Sequence, residues 1–529
     1  MPVLPKVSLY EDSAILIEGE GARLYGNILR NGEWIEDRDD VGLFEWSADN
    51  VARLRSLGVD FPTPFLTDYN IRSVYSPFYH QLDTADFLVG TRRGFVFSSP
   101  GVGKTASAIW AADYLMEQGS IEATLIVCPL SIMRASWIGD LFACAPHCYA
   151  VVAHGSKRRR TAALESAARF VVTNYDSFER MDPKLLKRFG LIIIDEANAY
   201  RSTQTARFKH MNKFVKENPD VRLWLMTGTP AAQSPEDAYG LARLVCPDRV
   251  PQFFGRWRDM VMTKVGMHRY IPKPDATEKV FEVLQPAIRY RKEDCLDLPP
   301  MTYQTREVPL SKQQRVYYER IRKEMLAETS HGTISAVNAG VVVNKLLQIS
   351  AGAVYSDDGV VLTFDVSDRT KELLEIIHNA SGKVIVFAGY RHNIEAISAM
   401  LTEQKITHER VDGSVPEGTR TKIFADFQTT DSPRVLVMQP QAVAHGLTLT
   451  AANTIVWWGP TSSLETYDQA NARIDRQSQR LPTQVIHFVS SPAEAKSYAR
   501  LKSRKEVQAS LLSMYDEVLK TPLDTFDLD

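Results

Sequence analysis

The chain has few cysteines. There are five in 529 residues, at positions 128, 144, 148, 246 and 295. An odd, sparse set excludes a disulfide-stapled secreted scaffold and fits a reducing compartment. Cys144, His147 and Cys148 would supply half of a zinc ligand set, but no second pair with ligand spacing follows, so no zinc is expected. Long hydrophobic runs are also missing: no stretch approaches 18 uninterrupted apolar residues, so no membrane span is expected. The opening MPVLPKVSLYEDS has no apolar core of signal-peptide length. Nor does one sign of charge dominate. Lys and Arg number 62 against 64 Asp and Glu, a net of −2, which excludes a histone-like binder and confines any nucleic-acid surface to a local patch. Low-complexity tracts and short-period repeats are absent, and 44% hydrophobic with 24% charged residues is globular composition.

What is present is a repeated alternation. Residues 1–75 read as a small mixed accessory region, with SAILIEG and ARLYGNIL as short strands and EWSADNVARLRSLG as a helix capped by Ser47. From 76 the apolar runs GFVFSSP, ATLIVCP, FVVTNY, LIIIDEA and LWLMTGTP alternate with helical stretches such as TASAIWAADYLMEQ. Buried parallel strands joined by crossover helices have this texture. After RYRKEDCLDLPP a second series follows, KVIVFAG, ITHERVDG, RVLVMQP, NTIVWWG and TQVIHFVS, preceded by the amphipathic helix SKQQRVYYERIRKEMLAE. The expected architecture is α/β: an accessory region at 1–75, one parallel-sheet domain at 76–295 and a second at 296–529. Functional residues belong at the C-terminal ends of such strands.

The segment Ser99-Pro100-Gly101-Val102-Gly103-Lys104-Thr105 sits between a strand and a helix, the setting a phosphate loop requires. Its glycines let backbone N–H groups curl around phosphate oxygens, and the helix N-terminus adds positive potential. Lys104 would reach the β and γ phosphates and Thr105 would hold Mg²⁺. Ser98 replaces the first glycine of the full pattern. Asp195-Glu196 ends the run Leu191–Ile194. Two carboxylates delivered by a buried strand are costly unless they meet a cation or a water. Asp195 would complete the Mg²⁺ shell and Glu196 would activate a water. Thr227-Gly228-Thr229-Pro230 ends a further strand, either as a plain turn or as a link from the phosphate site to a nucleic-acid face.

In the second domain, Arg473 and Arg476 are three apart, so on a helix they share a face and two guanidiniums could meet a γ-phosphate. A solvated helix with Asp475 as partner is the plain alternative. Gly446-Leu447-Thr448-Leu449-Thr450 precedes a strand and reads either as a loop or as a backbone-phosphate contact, and Trp457 and Trp458 read as core. Lys157-Arg158-Arg159-Arg160 is the dense basic run. With Lys184, Lys187, Arg188, Lys209 and Lys213 it would build a phosphate-tracking surface, or else it is a solvated loop.

Taken in order, these segments resemble superfamily 2 helicase-like ATPases, and among them the SWI2/SNF2 family of DNA translocases, in a compact bacterial or phage form. Pro77-Phe78-Tyr79-His80-Gln81 resembles the adenine-reading Q motif, Ser99–Thr105 motif I and Ile126–Leu130, with Ser131 after it, motif Ia. Thr173-Asn174-Tyr175 matches the segment that follows. Asp195–Asn198 resembles motif II, Thr227–Pro230 motif III, Lys383–Phe387 motif IV, Gly446–Thr450 motif V and Gln469–Gln479 motif VI. Ser234–Leu241, Phe253–Arg258, Arg289–Asp294 with Leu298-Pro299-Pro300, Leu310–Gln314 and Leu346–Ile349 resemble features particular to SWI2/SNF2 proteins. Departures stand at Asn198, where the family has His, at Thr448, where it has Asn, and at Asn453, where it has Asp.

The resemblance implies two tandem RecA-like domains that use ATP and Mg²⁺. Phe78, Gln81, the backbone of Pro100–Gly103, Lys104, Thr105 and Gly446 would bind nucleotide, and Thr105 and Asp195 the metal. Glu196 would be the catalytic base, Arg476 the arginine finger and Arg473 a γ-phosphate contact. Ser131, Asn174, Thr229, Thr448 and Lys157–Arg160 are the candidate nucleic-acid contacts. The implied partner is DNA, double-stranded, gripped mainly by its phosphates. A protein partner in replication, repair or restriction fits the same resemblance, as does a monomer at work in bacterial or infected-cell cytoplasm. The competing readings are a strand-separating helicase on single-stranded DNA or RNA, the motor of a restriction or repair complex, and an ATP-binding scaffold without chemistry.

Overall fold

The computed structural model describes residues 5–505 apart from 36–37, 39, 232–233, 267–269, 332–335, 356–360 and 443–446. The chain divides into two compact units between Cys295 and Leu296.

The first unit opens on a four-stranded antiparallel sheet. Its strands are β1 (Lys6–Tyr10), β2 (Ala14–Glu18), β3 (Gly32–Trp34) and β4 (Val41–Glu45), in the order β1-β2-β4-β3. The expected strand ARLYGNIL is instead the short helix Ala22–Gly26, which buries Ala22 and Gly26. A Cβ on Gly26 would lie 2.4 Å from the Trp34 ring, so glycine lets the turn close on that ring. The expected helix is present as Ala48–Ser56, with Ser47 accepting from the Asn50 N–H as its cap. This module is fastened to the rest of the unit by charge. Buried Arg222 donates to Asp49, and Arg55 pairs with Asp86 at 3.0 Å.

The principal sheet of this unit has seven parallel strands: β5 (Arg93–Val96), β6 (Ala123–Cys128), β7 (Ala150–Val152), β8 (Phe170–Asn174), β9 (Phe189–Asp195), β10 (Arg222–Met226) and, beyond the hairpin β11 (Met262–Lys264) and β12 (Tyr270–Pro272), β13 (Ala287–Ile288). Their order is β13-β5-β10-β9-β6-β8-β7. β9, β6 and β10 lie centrally, and their apolar residues are fully buried, which is why they read as continuous rather than alternating hydrophobic runs. The two faces carry separate cores, one around Leu125, Ile192 and Leu225, the other around Ile126, Ile193 and Trp224.

The second unit carries a six-stranded parallel sheet of β14 (Met301–Glu307), β17 (Lys383–Phe387), β18 (His408–Val411), β19 (Val435–Met438), β20 (Ala452–Trp457) and β21 (Thr483–Val489), in the order β14-β21-β20-β17-β19-β18. A hairpin, β15 (Ala353–Tyr355) and β16 (Val361–Thr363), lies outside it. Trp457 and Trp458 are buried, with indole N–H groups bonded to Asn471 and to the Ala351 carbonyl. The fold is therefore α/β, with two parallel sheets arranged as in tandem RecA-like domains, plus the N-terminal module.

Candidate nucleotide site and second-unit arginine segment

In the first unit the expected site residues gather at the C-terminal ends of β5, β9 and β10, three adjacent strands. The chain leaves β5 through Phe97 and Ser99, whose N–H groups donate to Ile288 and Tyr290 carbonyls. It then turns through Gly101 and Gly103, both at φ +87°. That left-handed conformation is open to glycine without strain. Gly103 also lacks room: a Cβ there would stand 1.9 Å from Gln81 Nε2. The helix Lys104–Glu117 starts directly after it, so the loop's backbone and the helix N-terminus form one concave, positive cradle.

Lys104 Nζ donates to the Ser98 and Ser99 carbonyls at 2.8 and 3.1 Å. Pro100 lies under Gly228, whose Cβ position is 3.3 Å from the Pro100 ring. Below the loop, His80 Nε2 and Gln81 Nε2 both donate to the Val102 carbonyl, at 2.9 and 3.3 Å. Burial lowers the His80 pKa, against the pull of its bond to the Val102 carbonyl. Gln81 Oε1 accepts from the Phe78 N–H at 3.1 Å, and the half-exposed Phe78 ring stacks on His80. Gln81 thus braces the loop as well as facing its neighbourhood.

Asp195 ends β9 and Glu196 follows at φ +49°. Glu196 N–H donates to Asp195 Oδ1 at 2.9 Å and Trp137 Nε1 to Oδ2 at 3.0 Å. Burial first, then the Glu196 charge, push the Asp195 carboxyl up to about 6, while Lys104 and Trp137 pull the other way. The left-handed turn at Glu196 is held by Tyr175, whose O–H donates to the Asp195 and Glu196 carbonyls at 2.7 and 3.2 Å. Asn198 Nδ2 donates to Thr229 Oγ1 at 2.6 Å, joining the end of β9 to the end of β10. A glycine-rich cradle, a lysine, a hydroxyl at Thr105 and the half-buried Asp195 carboxylate are a donor set that fits a nucleotide phosphate chain with a hard divalent cation. Trp137 and Tyr175 carried no role in the sequence reading. Tyr175 stood in the family-like segment Thr173-Asn174-Tyr175 without a role of its own, and Trp137 had no sequence signal.

The second unit departs from expectation in one respect. Arg473 and Arg476 do not share a helix face: the helix Leu464–Asn471 ends before them, and both lie in the following turns. What holds them is the segment Leu447–Thr450. Arg473 is buried, donates Nη1 to the Leu447 carbonyl at 3.4 Å, and accepts from the Leu449 N–H through its own carbonyl. Arg476 Nη1 donates to Thr448 Oγ1 at 3.2 Å. Gln479 Nε2 closes the turn on the Ala452 and Ile474 carbonyls, both at 2.9 Å. Gly446 lies outside the described residues.

The nucleic-acid candidates divide by exposure. Thr448 is exposed and Ser131 half-buried in the turn Leu130–Ile132. Asn174 and Thr229 are buried and internally bonded, Asn174 to His154 at 3.1 Å and Thr229 to Asn198. The basic run is helical: Lys157–Arg160 form the first turn of the helix Lys157–Glu165, capped by Ser156, with Lys157, Arg158 and Arg159 exposed. Four cations at a helix N-terminus add to its positive end instead of offsetting it. Arg188 does not join that surface. Its guanidinium is spent on the Leu164, Ser166 and Ala168 carbonyls.

Comparison with known proteins is consistent with this arrangement. Residues 80–351, just over half of the chain, match the SNF2-related domain, and residues 368–478 match the helicase conserved C-terminal domain. Protein p41 of Acyrthosiphon pisum secondary endosymbiont phage 1 is 26% identical over 82% of this chain and 97% of its own length. An uncharacterized ATP-dependent helicase of Mycoplasma genitalium is 25% identical over 78% of this chain. The DNA annealing helicase and endonuclease ZRANB3 of Mus musculus is 27% identical over 82%. This chain spans only 39% and 40% of those last two. Among the described residues no helix is long and apolar enough to cross a membrane.

Proposed function

Because the chain belongs to the SNF2-related family and is an ATP-hydrolysing enzyme of helicase-like fold, we propose that it is a DNA-stimulated ATPase that translocates on double-stranded DNA and remodels DNA or protein–DNA complexes. The observation that carries this reading is the convergence of the Gly101–Gly103 cradle, Lys104 and the Asp195-Glu196 pair at adjacent strand ends of one parallel sheet. Lys104 and the loop backbone hold phosphate oxygens. Thr105 and Asp195 hold Mg²⁺, which supplies charge neutralisation on the phosphates. Glu196 orients the attacking water and takes its proton. Phe78 and Gln81 take the adenine. Arg476 is the finger that stabilises charge in the transition state, with Arg473 as a γ-phosphate contact. The three-part division 1–75, 76–295 and 296–529 belongs to the same proposal.

Duplex DNA as partner is supported by the family and by the exposed cationic first turn at Lys157–Arg160. The exposed Thr448 and the half-buried Ser131 are further proposed contacts, whereas Asn174 and Thr229 are buried and bonded to His154 and Asn198 and are left out. A compact phage or bacterial type, active in the bacterial or infected-cell cytoplasm as a monomer that can join a replication, repair or restriction complex, belongs to the same proposal.

The test is steady-state ATP hydrolysis with no nucleic acid, single-stranded DNA, duplex DNA and RNA, with Lys104→Ala as the blank. Stimulation by duplex DNA that the variant lacks is the expected result. Stimulation by single strands or RNA alone would replace the translocase with a strand-separating helicase. Hydrolysis absent in every condition would leave an ATP-binding scaffold.

A further inference from the structure

Far from the phosphate loop, at the other end of the helix Lys104–Glu117, lies a cluster that the proposed ATPase does not use. Asp113 is fully buried, and its carboxylate is surrounded by polar groups. His147 Nε2 lies 2.9 Å from Oδ2, and Cys148 Sγ lies 3.1 Å from Oδ1. Glu117, one turn further along the same helix face, places Oε1 4.0 Å from His147 Nε2. The donor atoms of Asp113, His147 and Cys148 all lie within 4.8 Å of one another, the one such trio among the described residues. Tyr69 O–H donates to Asp113 Oδ2 at 2.7 Å.

We propose that Asp113, His147 and Cys148, with Glu117 as fourth ligand, bind one zinc-class divalent ion. A tetrahedral zinc bonded at about 2.0 Å to oxygen and nitrogen and about 2.3 Å to sulfur sets its ligand atoms roughly 3.3–3.6 Å apart. The observed contacts straddle that range, so small side-chain rotations open the pocket. A thiolate beside an imidazole selects zinc or its analogues over Mg²⁺ and Ca²⁺. Tyr69 supplies the outer hydrogen bond that orients a ligating carboxylate. Access is open, because His147 and Glu117 side chains are each about a quarter exposed.

Charge and proton accounts close. Arg169, 3.9 Å from Asp113, and Arg72, 2.6 Å from Glu117, cancel the two carboxylates before the ion arrives. On binding, the Cys148 thiol releases its proton to solvent. His147 offers the Nε2 lone pair and keeps its proton on Nδ1. The site then carries one net positive charge at a partly solvated edge. Cys144, which shares the sequence motif, is not among the ligands. The half site of the sequence is completed by two carboxylates one helical turn apart on a different element, not by a second cysteine pair. The ion would staple the helix that begins at Lys104 to the loop leading into β7.

The test uses the full chain, stripped with a chelator and titrated with Co²⁺ in the absence of ATP. One equivalent should bind with a sulfur-to-cobalt charge-transfer band in the near ultraviolet and tetrahedral visible absorption, both bleached by Zn²⁺. Cys148→Ser should remove the charge-transfer band while leaving the circular dichroism unchanged. His147→Gln should weaken binding at least about tenfold, and Cys144→Ser should change neither. Absence of the band, its survival in Cys148→Ser, or its loss in Cys144→Ser would each overturn the assignment. None of these readings depends on ATP hydrolysis, so failure here and failure of the ATPase proposal are separable.

Discussion

The two parallel sheets use their strand ends differently. In the first unit, Lys104, Asp195, Glu196 and Thr229 stand at or just beyond the ends of adjacent strands, with Lys104 bonded to the Ser98 and Ser99 carbonyls and Asn198 joining the end of β9 to Thr229. In the second, Arg473 and Arg476 lie in turns beyond a helix and are held by a neighbouring irregular segment, Leu447–Thr450. A strand end is placed by the sheet and inherits its rigidity. A turn is placed by its own side chains, so the arginines proposed to meet the nucleotide are also part of the scaffold.

The largest effect separating the two regions should come from the first unit. Lys104→Ala and Glu196→Gln should each lower ATP turnover by about 10³-fold or more, since both side chains are proposed to act on the nucleotide; Glu196→Gln should leave thermal unfolding nearly unchanged, whereas Lys104→Ala also gives up its bonds to the Ser98 and Ser99 carbonyls. Turnover and melting measured side by side check this. In the second unit, Arg476→Ala should lower kcat roughly 10²-fold with little change in KM for ATP. Arg473→Ala should add a stability loss of about 2–3 kcal/mol, because the Leu447 carbonyl loses a buried donor. Equal melting temperatures for the two arginine variants would erase the contrast between scaffold and ligand.

A third effect belongs to the second unit alone. Burial pushes His487 down to about 4, and its Nε2 shares a 2.8 Å hydrogen bond with the Tyr467 hydroxyl. The unfolded chain takes up a proton near pH 6.5 that the native ring refuses. Stability is therefore whole above about pH 6.5 and declines as pH falls toward 4, by on the order of 2 kcal/mol. His487→Asn should flatten that acid limb, measured as a smaller drop in melting temperature between pH 7 and pH 5. The smallest effect should come from Tyr175→Phe. Losing the O–H that spans the Asp195 and Glu196 carbonyls should cost about 1 kcal/mol and lower kcat roughly tenfold, leaving KM for ATP nearly unchanged. A purely structural tyrosine would lower stability without touching kcat.

Much of the first unit was legible because buried parallel strands leave a strong signal. LIIIDEA and LWLMTGTP show where the strand stops and what stands there. ARLYGNIL misled because five residues are too few to display a period, and the segment's burial against Trp34 decided for helix. The arginine segment misled because spacing of three implies a shared face only where a helix continues, and this one ends at Asn471.

Sequence alone determined the α/β class, the two sheets and which glycines, lysine and carboxylates stand at or just beyond the strand ends. These follow from local rules: apolar runs, glycine before a helix, polar residues at a strand's end. Only the tertiary structure decided that Gln81 braces Gly103, that Tyr175 and Trp137 hold the acidic pair, and that Asp113 meets His147 and Cys148. Those contacts join residues distant in the chain, and their geometry is set by strand order and helix packing, which no local pattern encodes.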